Sequence, residues 1–228
     1  MKQPYVICHM ICGVDGRTQT KHWKKGSGNV FEETAATIKS DGWIVGRVTM
    51  AEFASKKPRR KRKGRFNVPK TDYVAPHKEK TYAIAIDPSG KLHWETNHVD
   101  TEHLIEVLSE KVTSEYLDHL REAGVSYIFA GKHELNLKNA LEKLYTLFNI
   151  KRITVQGGGT NNGAFLNAGL IDELSLVIMP FADGEKGTQS VFDIDAKDKK
   201  KPSRQLKLQS AKPYKSQHVW LHYLFVDA

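Results

Sequence analysis

The chain of 228 residues has only two cysteines, Cys8 and Cys12, so no disulfide framework supports it. If both lie on one strand, their Cα atoms are too far apart to bridge, since a disulfide needs less than about 7 Å. Reduced core thiols in a cytoplasmic protein are the expectation. No apolar run approaches the ~20 residues of a membrane span. Residues 5–14 are apolar, but the run is short, follows Pro4 and alternates as a strand does, so it does not read as a signal peptide. The 10 histidines are scattered without metal-ligand spacing, and no metal is expected. There is no internal repeat or long linker. Residues 1–228 therefore read as a single domain with a basic insertion at about 55–80.

Acid is scarce in two places. Residues 55–65 hold Lys56, Lys57, Arg59, Arg60, Lys61, Arg62, Lys63 and Arg65 with no carboxylate, and residues 197–207 are also strongly basic. The formal net charge is +9, and these two stretches exceed it, so the remaining body is mildly acidic. A flexible polybasic loop can bind nucleic acid without sequence preference. We favour a solvated insertion, because no aromatic residue is interleaved for stacking. A third reading sets the loop beside Arg47, where it adds positive potential at a phosphate site.

Glycine is concentrated where it matters. The segment Gln156-Gly157-Gly158-Gly159-Thr160-Asn161 follows a β-branched run and leads into a short apolar helix pattern. A strand that ends in three glycines and restarts as a helix offers bare N–H groups and the positive end of a helix dipole to an anion such as phosphate. A tight connection is the competing reading. Trp43-Ile44-Val45-Gly46-Arg47-Val48-Thr49 repeats the pattern of strand, glycine turn and helix start. There Arg47 can grip a phosphate bidentately, and Thr49 can donate to one. For either residue in isolation, a solvated Arg47 and a capping Thr49 are the preferred explanation.

Periodicity gives strands at about 5–12, 42–45, 81–86, 104–108, 125–130 and 150–155, with late, antiparallel strands at 173–179 and 218–226. Helices are expected at about 30–39, 49–54, 113–123 (stopped by Gly124) and 136–148. Strands alternating with helices imply a mainly parallel sheet, with ligands beyond the carboxyl ends of its strands, where both phosphate turns and Gly131 would lie. The strand at 218–226 is apolar on both faces and is expected at a sheet edge, where a second subunit covers it.

Several of these segments resemble one family. Gly46-Arg47-Val48-Thr49 is similar to the Gly-Arg-x-Thr turn of dihydrofolate reductase. The glycine loop with Ala168-Gly169-Leu170-Ile171-Asp172-Glu173-Leu174, the segment Cys12-Gly13-Val14-Asp15-Gly16-Arg17-Thr18, and Ile84-Ala85-Ile86-Asp87-Pro88-Ser89-Gly90-Lys91-Leu92 resemble the C-terminal reductase domain of the riboflavin-biosynthesis deaminase–reductase. The resemblance runs in order over roughly residues 4–226, closest to stand-alone members without the deaminase half. It implies a dihydrofolate-reductase-like α/β fold, with a mainly parallel central sheet flanked by helices and antiparallel C-terminal strands. It also implies NADPH as cofactor and a homodimer. Carried over by motif, Cys12, Gly46, Arg47, Thr49, Gly131, Gly157, Gly158, Gly159, Thr160 and Asn161 become cofactor-binding residues.

The substrate half departs from the family pattern. His9 stands where the family has lysine, Gln156 where it has an acid, Glu52-Phe53-Ala54 where it has paired aspartates, and Thr37 where it has an arginine. The reductase reading therefore predicts hydride transfer to a small heterocycle, carbonyl or imine, similar to 5-amino-6-(5-phosphoribosylamino)uracil reduction but with an altered substrate. Candidate proton donors are Asp15, His9 and a bound water, and Gln156 is assigned to substrate orientation. A turn aspartate and a core histidine are the structural alternatives for Asp15 and His9. The rival functional class is a non-catalytic or nucleic-acid-associated protein that keeps the fold and uses its basic loops.

Overall fold

The computed structural model describes residues 2–23, 29–59, 64, 66–198, 203–215 and 217–226. In chain order the elements are β1 (Tyr5–Gly13), α1 (Val30–Thr37), β2 (Gly42–Gly46), α2 (Arg47–Met50), β3 (Tyr82–Ile86), β4 (His98–Val99), β5 (Glu102–Leu108) and α3 (Ser114–Glu122). They continue as β6 (Ser126–Phe129), α4 (Leu137–Phe148), β7 (Arg152–Val155), α5 (Gly159–Ala168), β8 (Glu173–Met179), β9 (Leu206–Pro213) and β10 (Val219–Phe225). Two compact units result: Met1–Pro4 with Ser40–Ile153, and Tyr5–Lys39 with Thr154–Ala228.

In the first unit β2, β3, β5 and β6 run parallel in that order. The short β4 pairs antiparallel with the start of β5. All five residues of β3 are buried, as expected for a strand covered on both faces. Gly42 is required by close approach, because a Cβ there would lie 2.4 Å from the Tyr82 carbonyl oxygen across the β2–β3 ladder. Helices α3 and α4 pack on β6. Thr113 caps α3 by accepting from Tyr116 N at 3.2 Å, and Asn136 caps α4 by accepting from Asn139 N at 3.0 Å. Gly124, at φ +72°, follows α3 in the left-handed region that favours glycine.

In the second unit the strand order is β1, β8, β10, β9. The β1–β8 pair is parallel, and the other two pairs are antiparallel. Helix α1 packs on β1. Val30 joins Val177, Met179 and Trp220 in a core flanked by Ile11, Trp23, Ile38 and Phe181.

Three expectations are corrected. Helix α2 begins at Arg47 and not at Thr49, with Gly46 as its N-cap residue. The strand at 102–108 starts earlier than its apolar run because His103 is fully buried. The last strand is no edge: β10 is paired on both sides, and β9 stands outside it. β9 escaped sequence reading because its residues alternate weakly and most are exposed; its partner strand, not its own hydrophobicity, holds it. β9 carries the exposed Lys207, Lys212 and Pro213, residue types that discourage edge-to-edge pairing. No described helix is long and apolar enough to cross a membrane.

Candidate functional site

In the first unit every parallel strand delivers its carboxyl end to one edge. Gly46 is half-buried there, Arg47 is exposed, and Thr49 is half-buried. Gly131, after β6, has φ +156°, and a Cβ on it would lie 1.9 Å from the Glu134 carbonyl oxygen. This glycine is therefore demanded by the Glu134 turn.

Beside Arg47 the unit holds a cavity of ≈ 740 Å³ lined by Arg47, Lys56, Lys57, Arg59, Lys91 and His93, with Glu115 as the one acid among the described lining residues. The first part of the basic stretch thus shares a cavity with Arg47. Lys57 pairs with Glu95 at 3.2 Å, both well exposed. Residues 60–63 and 65, and 199–202 in the second basic stretch, lie outside the described residues.

In the second unit β7 feeds the glycine loop. Gly157 sits at φ +126°, and the nearest atom to a Cβ there would be Met10 Sδ at 3.9 Å, so conformation and not crowding requires glycine. Gly158 is the N-cap residue of α5. Thr160 is exposed, and the half-buried Asn161 donates Nδ2 to the Gly157 carbonyl at 3.2 Å. Gly159 is different: a Cβ on it would lie 2.3 Å from Asp193 Oδ2 and 2.4 Å from the Ser190 carbonyl. The Ser190–Asp193 turn therefore packs directly on the first turn of α5, with a carboxylate at the positive end of the helix dipole. Gln156 donates Nε2 to Thr154 Oγ1 at 2.8 Å and is half-buried.

Both side-chain proton-donor candidates are held by hydrogen bonds within the second unit. Asp15 is exposed and accepts from Gly184 N at 2.7 Å, Asp183 N at 3.0 Å and Arg17 N at 3.3 Å. The Gly184 bond, with the others, holds its carboxyl below the usual range. It is ionised at neutral pH and pins the 183–184 turn to the end of β1.

His9 is fully buried. Its Nδ1 lies 2.9 Å from Ser175 Oγ, and its Nε2 lies 3.3 Å from both the Phe31 carbonyl and Thr34 Oγ1. Trp220 Nε1 donates to Ser175 Oγ at 2.8 Å, so the serine proton is free to go to Nδ1, and the histidine proton belongs on Nε2. Burial pushes the imidazole down to about 4. His9 is thus a neutral core histidine and a poor acid for the reaction. Cys12 is buried, its thiol pushed up to about 11 by burial and then by Asp15, so its side chain is inert near neutral pH.

These histidines predict an acid limit. A histidine with a folded value below its unfolded one costs stability as pH falls from the unfolded value of 6.5 to the folded value of about 4. For His9 the full cost is on the order of 3 kcal/mol. His103, stacked on His77 at 4.1 Å and also pushed down to about 4 by burial, acts in the same direction. Thermal melts should drop steadily over that interval, and His9→Gln should flatten part of the drop. Melting temperatures independent of pH there would contradict both assignments.

Sequence reading missed one cluster. Glu106 is fully buried on β5. It accepts from Trp94 Nε1 at 2.5 Å and from the Tyr116 hydroxyl, which lies 2.8 Å from both carboxylate oxygens. Burial first, then Asp87, raises it to about 8. A lone acid inside the apolar run Leu104-Ile105-Glu106-Val107-Leu108 was the signal available.

Parallel strands ending in glycine turns, with an antiparallel pair at the carboxyl end, define a dihydrofolate-reductase-like α/β protein. The chain belongs to the RibD C-terminal domain family, whose model matches residues 4–220. A pyrimidine reductase-like protein from Corynebacterium diphtheriae shares the fold with a TM-score of 0.73 at 15% identity, over 99% of this chain and 93% of that one. The riboflavin biosynthesis reductase of Saccharomyces cerevisiae gives a TM-score of 0.62 at 19% identity, over 98% and 90% of the two chains. RibD of Acinetobacter baumannii gives 0.66 at 19%, over 99% of this chain and 59% of that one. By sequence, 101 residues, 44% of this chain, are 29% identical to the 2,5-diamino-6-ribosylamino-4(3H)-pyrimidinone 5′-phosphate reductase of Methanothermobacter thermautotrophicus, and the match spans about half of that protein, 46%.

Proposed function

We propose that this protein is an NADPH-dependent reductase that transfers hydride to a small heterocyclic, carbonyl or imine substrate. The observation that carries this reading is the ≈ 740 Å³ basic cavity into which Arg47 opens at the carboxyl edge of the first unit. Its cations suit the adenosine 2′-phosphate that distinguishes NADPH from NADH. In the second unit, taken by itself, the left-handed Gly157 and the positive end of the α5 dipole make a turn suited to an anion. NADPH, when bound, supplies the hydride.

The chain's task is then to bind, orient and exclude water. Asp15 fixes the turn after β1, and Gln156 orients the substrate. With Asp15 ionised and His9 neutral and buried, the proton comes from water. The curated relative reduces a ribosylamino-pyrimidinone phosphate, as its name states. Here Thr37 and His9 stand where the family carries cations, which favours a substrate with less anionic character, and Gln156 offers a neutral amide where the family carries an acid. Titration of NADPH and NADH by fluorescence, followed by turnover assays with pterins, pyrimidines and quinones, tests the reading. Failure to bind either dinucleotide would overturn it.

A second copy of the chain completes the reading. Leu176 and Ile178 on β8, Val219, Leu221 and Tyr223 on β10 and Leu208 on β9 share one sheet face and remain half-buried or exposed. A homodimer would cover this face with an interface above about 1,000 Å². Sedimentation should give twice the single-chain mass of 25.8 kDa, and Leu221→Arg should return the chain to that mass. A wild-type monomer at micromolar concentration would rule the dimer out.

A further inference from the structure

The wall of the basic cavity has an occupant with divided loyalties. Arg59 lines the cavity, and its guanidinium lies 4.8 Å over the centre of the Tyr116 ring. Its Nη1 is buried without a hydrogen-bond partner. The hydroxyl of that ring donates to Glu106. Nearby is Asp87, also fully buried. Its Oδ2 accepts from Lys91 N at 2.6 Å and Leu92 N at 2.8 Å, and its Oδ1 has no partner. Gly90 closes the assembly: a Cβ there would lie 2.4 Å from the Tyr116 ring. A half-buried cation with a spare, buried donor therefore shares the surroundings of Tyr116 with buried carboxyl groups and an open cavity that suits anions.

We propose that Arg59 is a shared counter-ion, for which an anion in the cavity and the buried Glu106 compete, so that anion binding is coupled to proton uptake by Glu106. Arg59 favours the ionised form of Glu106, so ionised Glu106 must in return favour the seated position of Arg59, by the same factor. An anion that engages Arg59 weakens its hold on the carboxylate, and Glu106 takes a proton from water. Raising the pH ionises Glu106, holds Arg59 inward, adds a negative charge behind the cavity and weakens the anion.

Other charged groups face this cluster. Asp87 comes from the end of β3, Glu115 and His119 from α3, and His93 from the strand-connecting loop. Arg47, Lys57 and Lys91 line the cavity itself. Between about pH 7 and about pH 9 a phosphate monoester is doubly charged over most of the range. Glu106, raised to about 8, titrates in that window.

The inference gives a regulation to the cavity of the proposed reductase and rests on that reading for its natural ligand, but its test does not. Adenosine 2′,5′-bisphosphate is the probe. Its affinity should fall roughly tenfold from about pH 7 to about pH 9, and calorimetry in two buffers of different ionisation heat should show net proton uptake. Glu106→Gln, which keeps the size and the neutral charge state, should remove both effects. A pH-independent affinity in the wild type, or an unchanged dependence in Glu106→Gln, overturns the coupling. Without any anion, tryptophan emission should titrate near the Glu106 value, lose that step in Glu106→Gln, and shift to higher pH in Arg59→Ala. An unshifted midpoint in Arg59→Ala also overturns the proposal. A cavity that binds no bisphosphate at any pH counts against the cofactor reading alone, because the Arg59→Ala titration still decides the coupling.

Discussion

Arg47→Ala should weaken NADPH by roughly tenfold or more while leaving NADH nearly unchanged. Arg47 is exposed at the first position of α2, on the rim of the basic cavity. Nothing in the core depends on its side chain, so the variant should melt as the wild type does. A charge-assisted hydrogen bond to a phosphate contributes on the order of 1.5–3 kcal/mol, and only NADPH carries the 2′-phosphate. Lys57, Arg59 and Lys91 share the cavity and supply long-range attraction, which keeps the loss from being complete. The discrimination should also shrink as salt is raised, since the site is open to solvent. Equal losses for the two dinucleotides would place the 2′-phosphate elsewhere and remove the main support for the proposed cofactor.

Gly163→Ala should lose stability, and the sign of that effect runs against helix propensity. In the interior of a helix, glycine to alanine ordinarily stabilises by about 1 kcal/mol. Gly163 lies within α5, yet a Cβ there would stand 2.1 Å from the Asp193 carbonyl oxygen and 3.0 Å from Ile194 Cγ1. The opposing atoms are backbone, and that backbone is tied down. Asp193 N donates to the Gly159 carbonyl at 3.0 Å, and Asn162 Nδ2 to the Val191 carbonyl at 2.9 Å. Ser190 Oγ binds Asp193 Oδ1 at 2.8 Å. Relief of the clash must break some of these bonds or move α5, so overpacking should cost about 1–3 kcal/mol or more. The melting temperature should fall by several degrees, at roughly 2–4 °C per kcal/mol for a chain of this size. A variant as stable as the wild type would mean that the Ser190–Asp193 turn does not pack on α5.

Much of the fold was legible locally. β3, buried at every position, announced itself as a continuous run of Tyr82-Ala83-Ile84-Ala85-Ile86. α3 and α4 carried their own caps in Thr113 and Asn136, and Gly124 marked the stop. The two glycine turns stood at strand carboxyl ends as expected. What was illegible depended on partners. β9 is a strand because β10 offers it a ladder, and β4 is a two-residue pairing against β5. The close packing at Gly159 and Gly163 comes from a turn some thirty residues later.

The amino-acid sequence by itself determined the alternation of strands and helices, the glycine turns and the basic character of the residues around Arg47, because each of these is written in residues a few positions apart. Only the tertiary structure decided which ionisable groups carry charge. Asp15 is held ionised by N–H groups of residues 183 and 184. His9 is neutral because β8 and α1 close over it. Glu106 tends to keep its proton because it is sealed in the first unit's core near Asp87. Charge in a protein is set by burial and by hydrogen-bond partners, and those come from contacts that no local pattern encodes.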